Sequence, residues 1–189
     1  MLLEVANYRF ADFYLIKGRN KLMSKNKLTG LFLIIFTSSV VRAFGQDSKE
    51  EKLKACGTKQ INYKAVTDKK QHPTPDAPAD KALIYVLRPT IIGLKINSKL
   101  AVDGEWKGVN RGKTYFFFTV EPGERYFCSE SENQDYLKLN VEAGKTYYLQ
   151  QKVEAGIWKA RTNLVVMTEE KGKEKLKDVN LSIFEEKQK

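Results

Sequence analysis

The sequence holds little of the chemistry that most enzymes use, because its 189 residues include one histidine and two cysteines. The histidine, His72, lies between Gln71 and Pro73 in a polar segment, so a Ser-His-Asp or Cys-His arrangement would need a base from outside the folded domain. A zinc site lacks ligands for the same reason. Neither a glycine-rich phosphate loop after a strand nor an Asp-x-Asp-x-Asp calcium loop is present. We therefore predict no catalytic residue, no metal site and no cofactor.

The sequence also lacks an apolar run of the ~20 residues that a spanning helix needs, and its longest run has the features of an export signal. Two lysines precede an apolar stretch over residues 28–41, and Ala43-Phe44-Gly45 offers small side chains for cleavage. We predict a signal peptide over residues 23–45, cleaved between Gly45 and Gln46, and an extracytoplasmic protein, either periplasmic or secreted. The alternative is an uncleaved segment, residues 28–45, that anchors the protein to the membrane.

Residues 1–22 would form an unusually long segment ahead of that signal. They carry four aromatic residues, which are uncommon in the basic start of a signal peptide. We expect translation to begin at Met23 rather than Met1, and we interpret residues 1–22 as a wrongly assigned upstream extension.

The formal net charge of +10 falls once the signal is removed. Residues 1–45 hold seven of the 33 basic residues and two of the 23 acidic ones, which leaves 26 basic and 21 acidic residues and a net charge of about +5. Nucleic-acid binders usually cluster basic residues on one face, whereas here the two signs are interleaved. We predict no nucleic-acid partner.

The two cysteines, Cys56 and Cys128, would lie in a compartment where disulfides persist if the protein is exported. If they pair, the bridge closes a long loop and adds roughly 4 kcal/mol to the free energy of unfolding in the chain-entropy model. The alternative is a buried Cys128 and a free thiol at Cys56. The spacing does not decide between these two interpretations.

Composition divides the rest of the chain into three parts. Residues 46–80 are polar and contain three prolines, so they offer too little apolar surface to offset the entropy of ordering, and we predict a flexible linker with at most one short strand over residues 60–66. Residues 81–180 are predicted to form the globular domain. Residues 181–189 are predicted to form a C-terminal tail.

Strand signals follow one another through the predicted domain, separated by turn residues. Residues 82–87 are apolar at consecutive positions, as in a strand that is covered on both faces. Asp103-Gly104 favours a type I′ hairpin turn, and Pro122-Gly123 favours a type II turn. About seven strands joined by tight turns predict an all-β fold, an antiparallel β-sandwich. A short helix within residues 168–178 is predicted to lie on the sheet edge.

Aromatic residues on or beside the strands are the one positive sign of a ligand or partner. Core packing accounts for most of them. Trp106 and Trp158 each follow a turn, and Tyr148 must point to the face opposite its neighbour Tyr147. We predict Trp106, Trp158 and Tyr148 as candidate contacts to a ligand or partner.

Several spaced motifs occur in a definite order: Leu-Ile-Tyr-Val-Leu-Arg-Pro at residues 83–89, Val-Asp-Gly at 102–104, Pro-Gly-Glu at 122–124 and Ala-Gly-Lys-Thr-Tyr-Tyr at 143–148. This order resembles the bacterial family DUF2846 over roughly residues 81–177. The resemblance implies an exported or lipoprotein-type envelope protein and brings no catalytic residue or ligand, since the family has none assigned. PEGA-like and transthyretin-like sandwiches are similar in architecture. Unlike the lipoprotein members, this chain has polar residues ahead of Cys56 in place of an apolar lipobox.

These features predict an exported, non-catalytic β-sandwich that binds an envelope partner, either a protein or a glycan. Membrane contact is expected only through a retained signal segment. The alternative is a carboxylate-based extracytoplasmic hydrolase acting on glycans, because any two acids can meet in space. Most acids of the domain lie in predicted turns, where solvation is their ordinary role (Asp103, Glu121, Glu124, Glu142 and Glu154).

Overall fold

The computed structural model of the protein describes residues 49–154 and 161–186. The predicted extension (1–22), the predicted signal peptide (23–45) and its cleavage site between Gly45 and Gln46 lie outside these residues, as does Trp158. Among the described residues, no helix is both long enough and apolar enough to cross a membrane.

The described residues form two helices and ten strands. Helix α1 covers residues 49–56 and helix α2 covers Glu169–Leu176. The strands are β1 (Tyr63–Asp68), β2 (Ala82–Arg88), β3 (Ser98–Val102), β4 (Glu105–Asn110), β5 (Thr114–Val120), β6 (Gly123–Glu130), β7 (Gln134–Val141), β8 (Thr146–Glu154), β9 (Arg161–Met167) and β10 (Asn180–Glu186). The predicted β-sandwich with a short helix near the C-terminus is confirmed, with ten strands where the sequence indicated about seven.

The strands form a six-stranded sheet A in the order β1-β10-β5-β2-β8-β9 and a four-stranded sheet B in the order β4-β3-β6-β7. Most pairs are antiparallel, as predicted, but β2 pairs with β8 and β10 pairs with β5 in parallel. The two parallel pairs were not predictable because turn residues indicate only which consecutive strands form a hairpin. The chain reaches β8 from β7 by crossing from sheet B to sheet A, a step that no local motif marks.

Strand β2 is buried on both faces, as its run of apolar residues predicted. Ala82, Ile84 and Val86 join the core between the two sheets. Residues 83, 85 and 87 alternate with them and face the outer side of sheet A, where they form a second apolar cluster with Leu176. The period of two in a strand produces this division.

The hairpin between β3 and β4 turns at the predicted dipeptide. Asp103 has φ +50° and Gly104 has φ +82°, the positive values that a type I′ turn requires at both central positions. The carboxylate of Asp103 also accepts hydrogen bonds from the Tyr126 backbone N–H (3.0 Å) and the Arg125 guanidinium (3.0 Å). These bonds fix the turn to strand β6.

Residues 49–80, predicted as part of a flexible linker, pack on the sandwich in three places. Helix α1 lies on the outer face of sheet B, where Ala55 and Cys56 join a buried cluster. Strand β1 pairs with β10 over six residues. The proline-rich residues 72–78 lie on the outer face of sheet A. The composition indicates that this segment cannot order itself alone, whereas in the structure a disulfide, a strand ladder and tyrosine hydroxyls hold it in place.

The C-terminal part of the chain also differs from the prediction. Most of the predicted tail belongs to β10, which is paired on both edges, with β1 on one side and β5 on the other. Its sequence, Asn-Leu-Ser-Ile-Phe-Glu-Glu, alternates only weakly, so the strand depends on these two neighbours. Helix α2 lies within the predicted range, and it covers the outer face of sheet A rather than a sheet edge.

Candidate functional site

The described residues line a half-open cavity of about 470 Å³ on the outer face of sheet A, between the proline-rich segment and helix α2. One wall is formed by the segment at His72, Thr74, Pro75 and Asp76, and the other by α2 with Glu169, Lys173 and Leu176. Strands β2 and β8 supply the floor. This volume lies within the range of about 300–1,000 Å³ that is usual for ligand pockets.

Two stacked tyrosines form the floor. Tyr85 on β2 and Tyr148 on β8 are register partners in the parallel pair, and their rings lie 5.3 Å apart at an angle of 9°. Helix α2 covers Tyr148 at Gly172. A Cβ atom at position 172 would lie 2.2 Å from Cγ of Tyr148, so only glycine allows the helix to approach this closely. The glycine that interrupts the helical pattern in the sequence therefore has a packing role.

Tyrosine hydroxyls hold the proline-rich wall. The hydroxyl of Tyr85 donates to the carbonyl of Pro75 (2.9 Å), and the hydroxyl of Tyr115 donates to the carbonyl of Pro73 (3.0 Å). Since a carbonyl can only accept, Nε2 of His72 donates to the Leu176 carbonyl at 2.9 Å and joins the two walls. Burial raises the pKa of Tyr85 and raises that of Tyr115 to about 12, so both hydroxyls remain protonated donors at neutral pH.

Several polar side chains that line the cavity have no hydrogen bond to a described residue, and they include the carboxylate of Asp76 and the hydroxyl of Tyr148. Burial raises the pKa of Tyr148, while the positive charge of Lys173 acts in the opposite direction. Lys173 itself is bound to Glu169, with 2.6 Å between Nζ and Oε1. The cavity thus offers a carboxylate acceptor and several hydroxyl groups beside an ion pair.

Asp76 and Glu169 are the two carboxylates that line the cavity. A glycosidase of the two-carboxylate type needs one of its acids to be protonated and the other to act on water or on the sugar. Glu169 is instead neutralised by Lys173 on the next turn of α2. Nothing in this pair favours hydrolysis. Among the described residues there is also no group of three or more His, Cys, Asp or Glu side chains that could hold a metal ion.

Comparison with known proteins connects this architecture to a family. Residues 78–163 match the model of the family described as "Protein of unknown function (DUF2846)". Over these 86 of its 189 residues, the chain is similar to the DUF2846 family. A relative from Haemophilus influenzae, described as an uncharacterized protein, is 29% identical over 102 residues, which are 53% of this chain and 60% of the relative. No solved structure matches the chain.

The family match confirms the resemblance seen in the motifs. It covers only some of the elements that line the cavity. The matched residues contain the floor strands β2 and β8. Helix α2 and residues 72–77 lie outside the match. The cavity is therefore formed by the domain together with the segments that flank it in this chain.

The three predicted contact residues are not brought together. Tyr148 lies in the cavity floor, although its side chain is only 5% exposed. Trp106 is on sheet B, where its Nε1 donates to the Lys59 carbonyl (2.7 Å) and Lys99 Nζ lies 4.6 Å from the ring centre. Trp106 is thus partly covered by the segment that contains Lys59, and it is not fully exposed to solvent. Trp158 lies outside the described residues.

Cys56 and Cys128 form a disulfide, which joins α1 to β6 across 72 residues. The bond lies in a cluster on the outer face of sheet B with Tyr126 and half-buried Trp106. The sequence does not decide whether the two cysteines pair, because the composition of residues 49–56 does not show that they form a helix on the sandwich.

Sequence reasoning missed Asp76, His72 and Glu169 as cavity residues. His72 and Asp76 lie in the predicted linker, and Glu169 begins a helix whose docking face was not apparent. The signal that was available is Gly172 in an otherwise helix-favouring stretch. A glycine inside a helix often marks a close contact.

A second cavity of about 370 Å³ lies at the β3–β4 hairpin. Its charged groups are paired with one another or with nearby lysines. Arg125 binds Asp103 at 3.0 Å, Lys107 binds Glu105 at 2.9 Å, and Lys81 binds Glu121 at 3.0 Å. Because these charges already satisfy each other, the cavity beneath α2 is the better candidate site.

Proposed function

We propose that the protein is exported and that its DUF2846 domain is a non-catalytic binding module, with the cavity beneath α2 holding a polar segment of an envelope glycan. The observation that carries this proposal is that the Asp76 carboxylate and the Tyr148 hydroxyl, neither of them hydrogen-bonded to a described residue, line the same cavity as the stacked rings of Tyr85 and Tyr148. A sugar hydroxyl can donate to the carboxylate and accept from the tyrosine.

The electrostatics of the cavity support a neutral, hydroxyl-rich ligand. Asp76 and Glu169 are balanced by Lys173 and Lys177 among the lining residues, so no strong excess of one sign favours a simple cation or anion. The tyrosine floor is held by packing on Gly172 and by the bond from Tyr85 to Pro75. A fixed floor lowers the entropy cost of ordering the site on binding.

Export is supported by two features of different kinds. The basic, apolar and small-residue order over residues 23–45 is that of a signal peptide. The Cys56–Cys128 disulfide is the kind of bond that persists outside the reducing cytoplasm. Fractionation of the producing cells with mass spectrometry of the N-terminus tests this part. Recovery outside the cytoplasm with a chain starting at Gln46 is expected, and recovery only in the cytoplasm would contradict export.

Binding is tested by calorimetric titration of the purified protein with N-acetylglucosamine oligomers as the probe. We expect Asp76→Asn and Tyr148→Phe each to weaken binding about tenfold, the loss of one hydrogen bond to a charged or buried group. Asp80→Asn is the matched control, because Asp80 is an exposed acid four residues away that does not line the cavity. Absence of binding, or equal effects of Asp76→Asn and Asp80→Asn, would overturn the assignment of this cavity.

The same mixtures separate binding from hydrolysis. Intact oligomers after prolonged incubation are expected for a binding module. Shortened oligomers that disappear with the Asp76→Asn variant would instead identify the cavity as a hydrolase site.

A further inference from the structure

The loop between β2 and β3, residues 89–97, exposes three large aliphatic side chains within four positions. Ile91 is 64% exposed, Ile92 is 54% exposed and Leu94 is 50% exposed. We call these three residues the apolar tip. Single exposed aliphatic residues are ordinary, whereas a group on one loop marks an interaction surface.

A buried arginine holds this loop in shape. Arg88, the last residue of β2, is fully buried, and its Nη2 donates to the carbonyls of Ile92 (3.3 Å) and Gly93 (2.6 Å). Its Nη1 donates to the Ile96 carbonyl and to Oγ of Ser98 (3.3 Å). One guanidinium therefore binds the backbone of the loop at three points.

Two glycines complete the support of the loop. Gly93 has φ +64°, and a Cβ atom there would lie 2.9 Å from Cδ1 of Ile96 and 3.1 Å from the Arg88 guanidinium. The Gly112 N–H donates to the Leu94 carbonyl at 3.4 Å from the neighbouring turn. The loop is thus preorganised with its aliphatic side chains directed outward, and it does not collapse onto the sheet.

Positive charge surrounds the apolar tip. Lys95 and Arg111 are exposed and Lys113 is partly exposed, and none of the three forms an ion pair with a described residue. The backbone N–H of Lys113 donates to the Arg88 carbonyl at 2.8 Å, which places it beside the loop. The sequence has no acidic residue in 81–102 or in 106–120. In the turn before β10, the opposite charges of Lys177 and Asp178 offset each other.

The charge of Arg88 adds to the positive electrostatic potential around the apolar tip. Its hydrogen-bond acceptors are carbonyls and a hydroxyl, with no carboxylate among the described residues, and its Nε has no partner. A buried charge without a counter-charge keeps a positive potential at the nearby surface, because little water screens it.

We propose that the apolar tip, with Lys95, Arg111 and Lys113, is a contact surface for an anionic phospholipid bilayer. Aliphatic side chains on a fixed loop can enter the boundary between headgroups and acyl chains while the cations remain at the phosphates. Charge complementarity selects lipid as the occupant, since the free charges around the tip are of one sign. This surface shares no residue with the cavity, and it is a membrane contact separate from any retained signal segment.

The test is flotation of the full chain, as it accumulates in the producing host, with vesicles of phosphatidylcholine alone or of phosphatidylcholine mixed with phosphatidylglycerol. We expect binding to the mixed vesicles only. Substituting Ile91→Ser, Ile92→Ser and Leu94→Ser together should lower the partition coefficient at least ~tenfold. Substituting Lys95→Gln, Arg111→Gln and Lys113→Gln together should lower it by roughly a hundredfold.

The matched control is the triple variant Val66→Thr, Val166→Thr and Ile183→Thr, which removes exposed aliphatic side chains of similar exposure from the strands. It should bind vesicles like the parent chain, even if a retained signal segment adds a constant background. Circular dichroism checks that each variant is folded. Raising the ionic strength to about 1 M, where the Debye length is ~3 Å, should release the parent chain.

Three outcomes would overturn the proposal. The first is equal vesicle binding by the parent and the apolar-tip variant. The second is equal binding to neutral and anionic vesicles. The third is concentration-dependent self-association that the apolar-tip variant abolishes while vesicles capture neither chain, which would show that a second copy covers the loop.

Discussion

Gly172 of helix α2 lies directly on the ring of Tyr148, and a Cβ atom there would approach the ring within 2.2 Å of Cγ. Tyr148 in turn stacks on Tyr85 at 5.3 Å. The close approach of the helix to the floor of the cavity therefore depends on one small residue.

The first prediction concerns that contact. Gly172→Ala should lower the free energy of unfolding by about 1–3 kcal/mol, because the methyl group must displace either the helix or the ring. The intrinsic helix preference of alanine, worth about 1 kcal/mol, acts in the opposite direction. Urea unfolding measures the difference, with the exposed neighbour Lys171→Ala as control. A Gly172→Ala variant as stable as Lys171→Ala would contradict the packing role.

The second prediction concerns the disulfide. Replacing both Cys56 and Cys128 with alanine should lower the free energy of unfolding by about 4 kcal/mol, since the bond closes a loop of 72 residues. Helix α1 should separate from sheet B, and the fluorescence of Trp106 should change because this residue packs on the same cluster. The parent chain in reductant should behave like the variant. Equal stability of the oxidised parent and the variant would be the opposing result.

The third prediction concerns alkaline pH. Burial raises the pKa of Tyr115 to about 12, above its ordinary value of about 10. Below pH 10 the folded and unfolded chains both hold the proton, so stability is unaffected. Between pH 10 and 12 the unfolded chain releases the proton first, and stability falls as the pH rises. Urea unfolding across this range should show a shallower decline for Tyr115→Phe, and an identical decline would argue against a buried Tyr115 hydroxyl.

The fourth prediction concerns a buried polar group between the sheets. Nε2 of Gln151 donates to Oγ of Ser129 (2.9 Å) and to the Lys99 carbonyl (3.2 Å), and its Oε1 accepts from Nδ2 of Asn110 (3.1 Å). Gln151→Leu removes three buried hydrogen bonds and should lower the free energy of unfolding by roughly 2–4 kcal/mol.

Gln150→Leu is the control for that substitution, because the neighbouring side chain points to the opposite face of β8. A double-mutant cycle of Gln151→Leu with Asn110→Ala should give a coupling free energy of about 0.5–3 kcal/mol. A coupling near zero would mean that the two side chains act independently.

Part of the cavity was visible in the sequence. Tyr148 was predicted as a contact residue on a strand, and the stretch within residues 168–178 was predicted as a helix. Asp76 was not identifiable, because it lies in a polar, proline-containing stretch whose own composition indicates a linker. Its position depends on hydroxyls from Tyr85 and Tyr115, which are 10 and 42 residues away from the carbonyls that they bind.

The role of Arg88 in the β2–β3 loop was likewise not identifiable from the sequence. Together with Pro89 it marks the end of a strand in the sequence, and arginine at a strand end is ordinarily solvated. In the fold its guanidinium is buried under the loop that follows. The difference arises because the loop turns back over the strand end.

The sequence by itself determined about seven of the ten strands, the hairpin turn at Asp103-Gly104 and the double burial of β2, because each depends on residues close together in the chain. The alternation of side chains and the positive φ at Asp103-Gly104 are local properties of the backbone. The tertiary structure alone decided the parallel pairs, the place of residues 49–80, the partners of Arg88 and the cavity. The parallel pairs, the place of residues 49–80 and the cavity require groups from distant parts of the chain. The partners of Arg88 lie 4 to 10 residues away, but they meet it only because the loop turns back over the strand end.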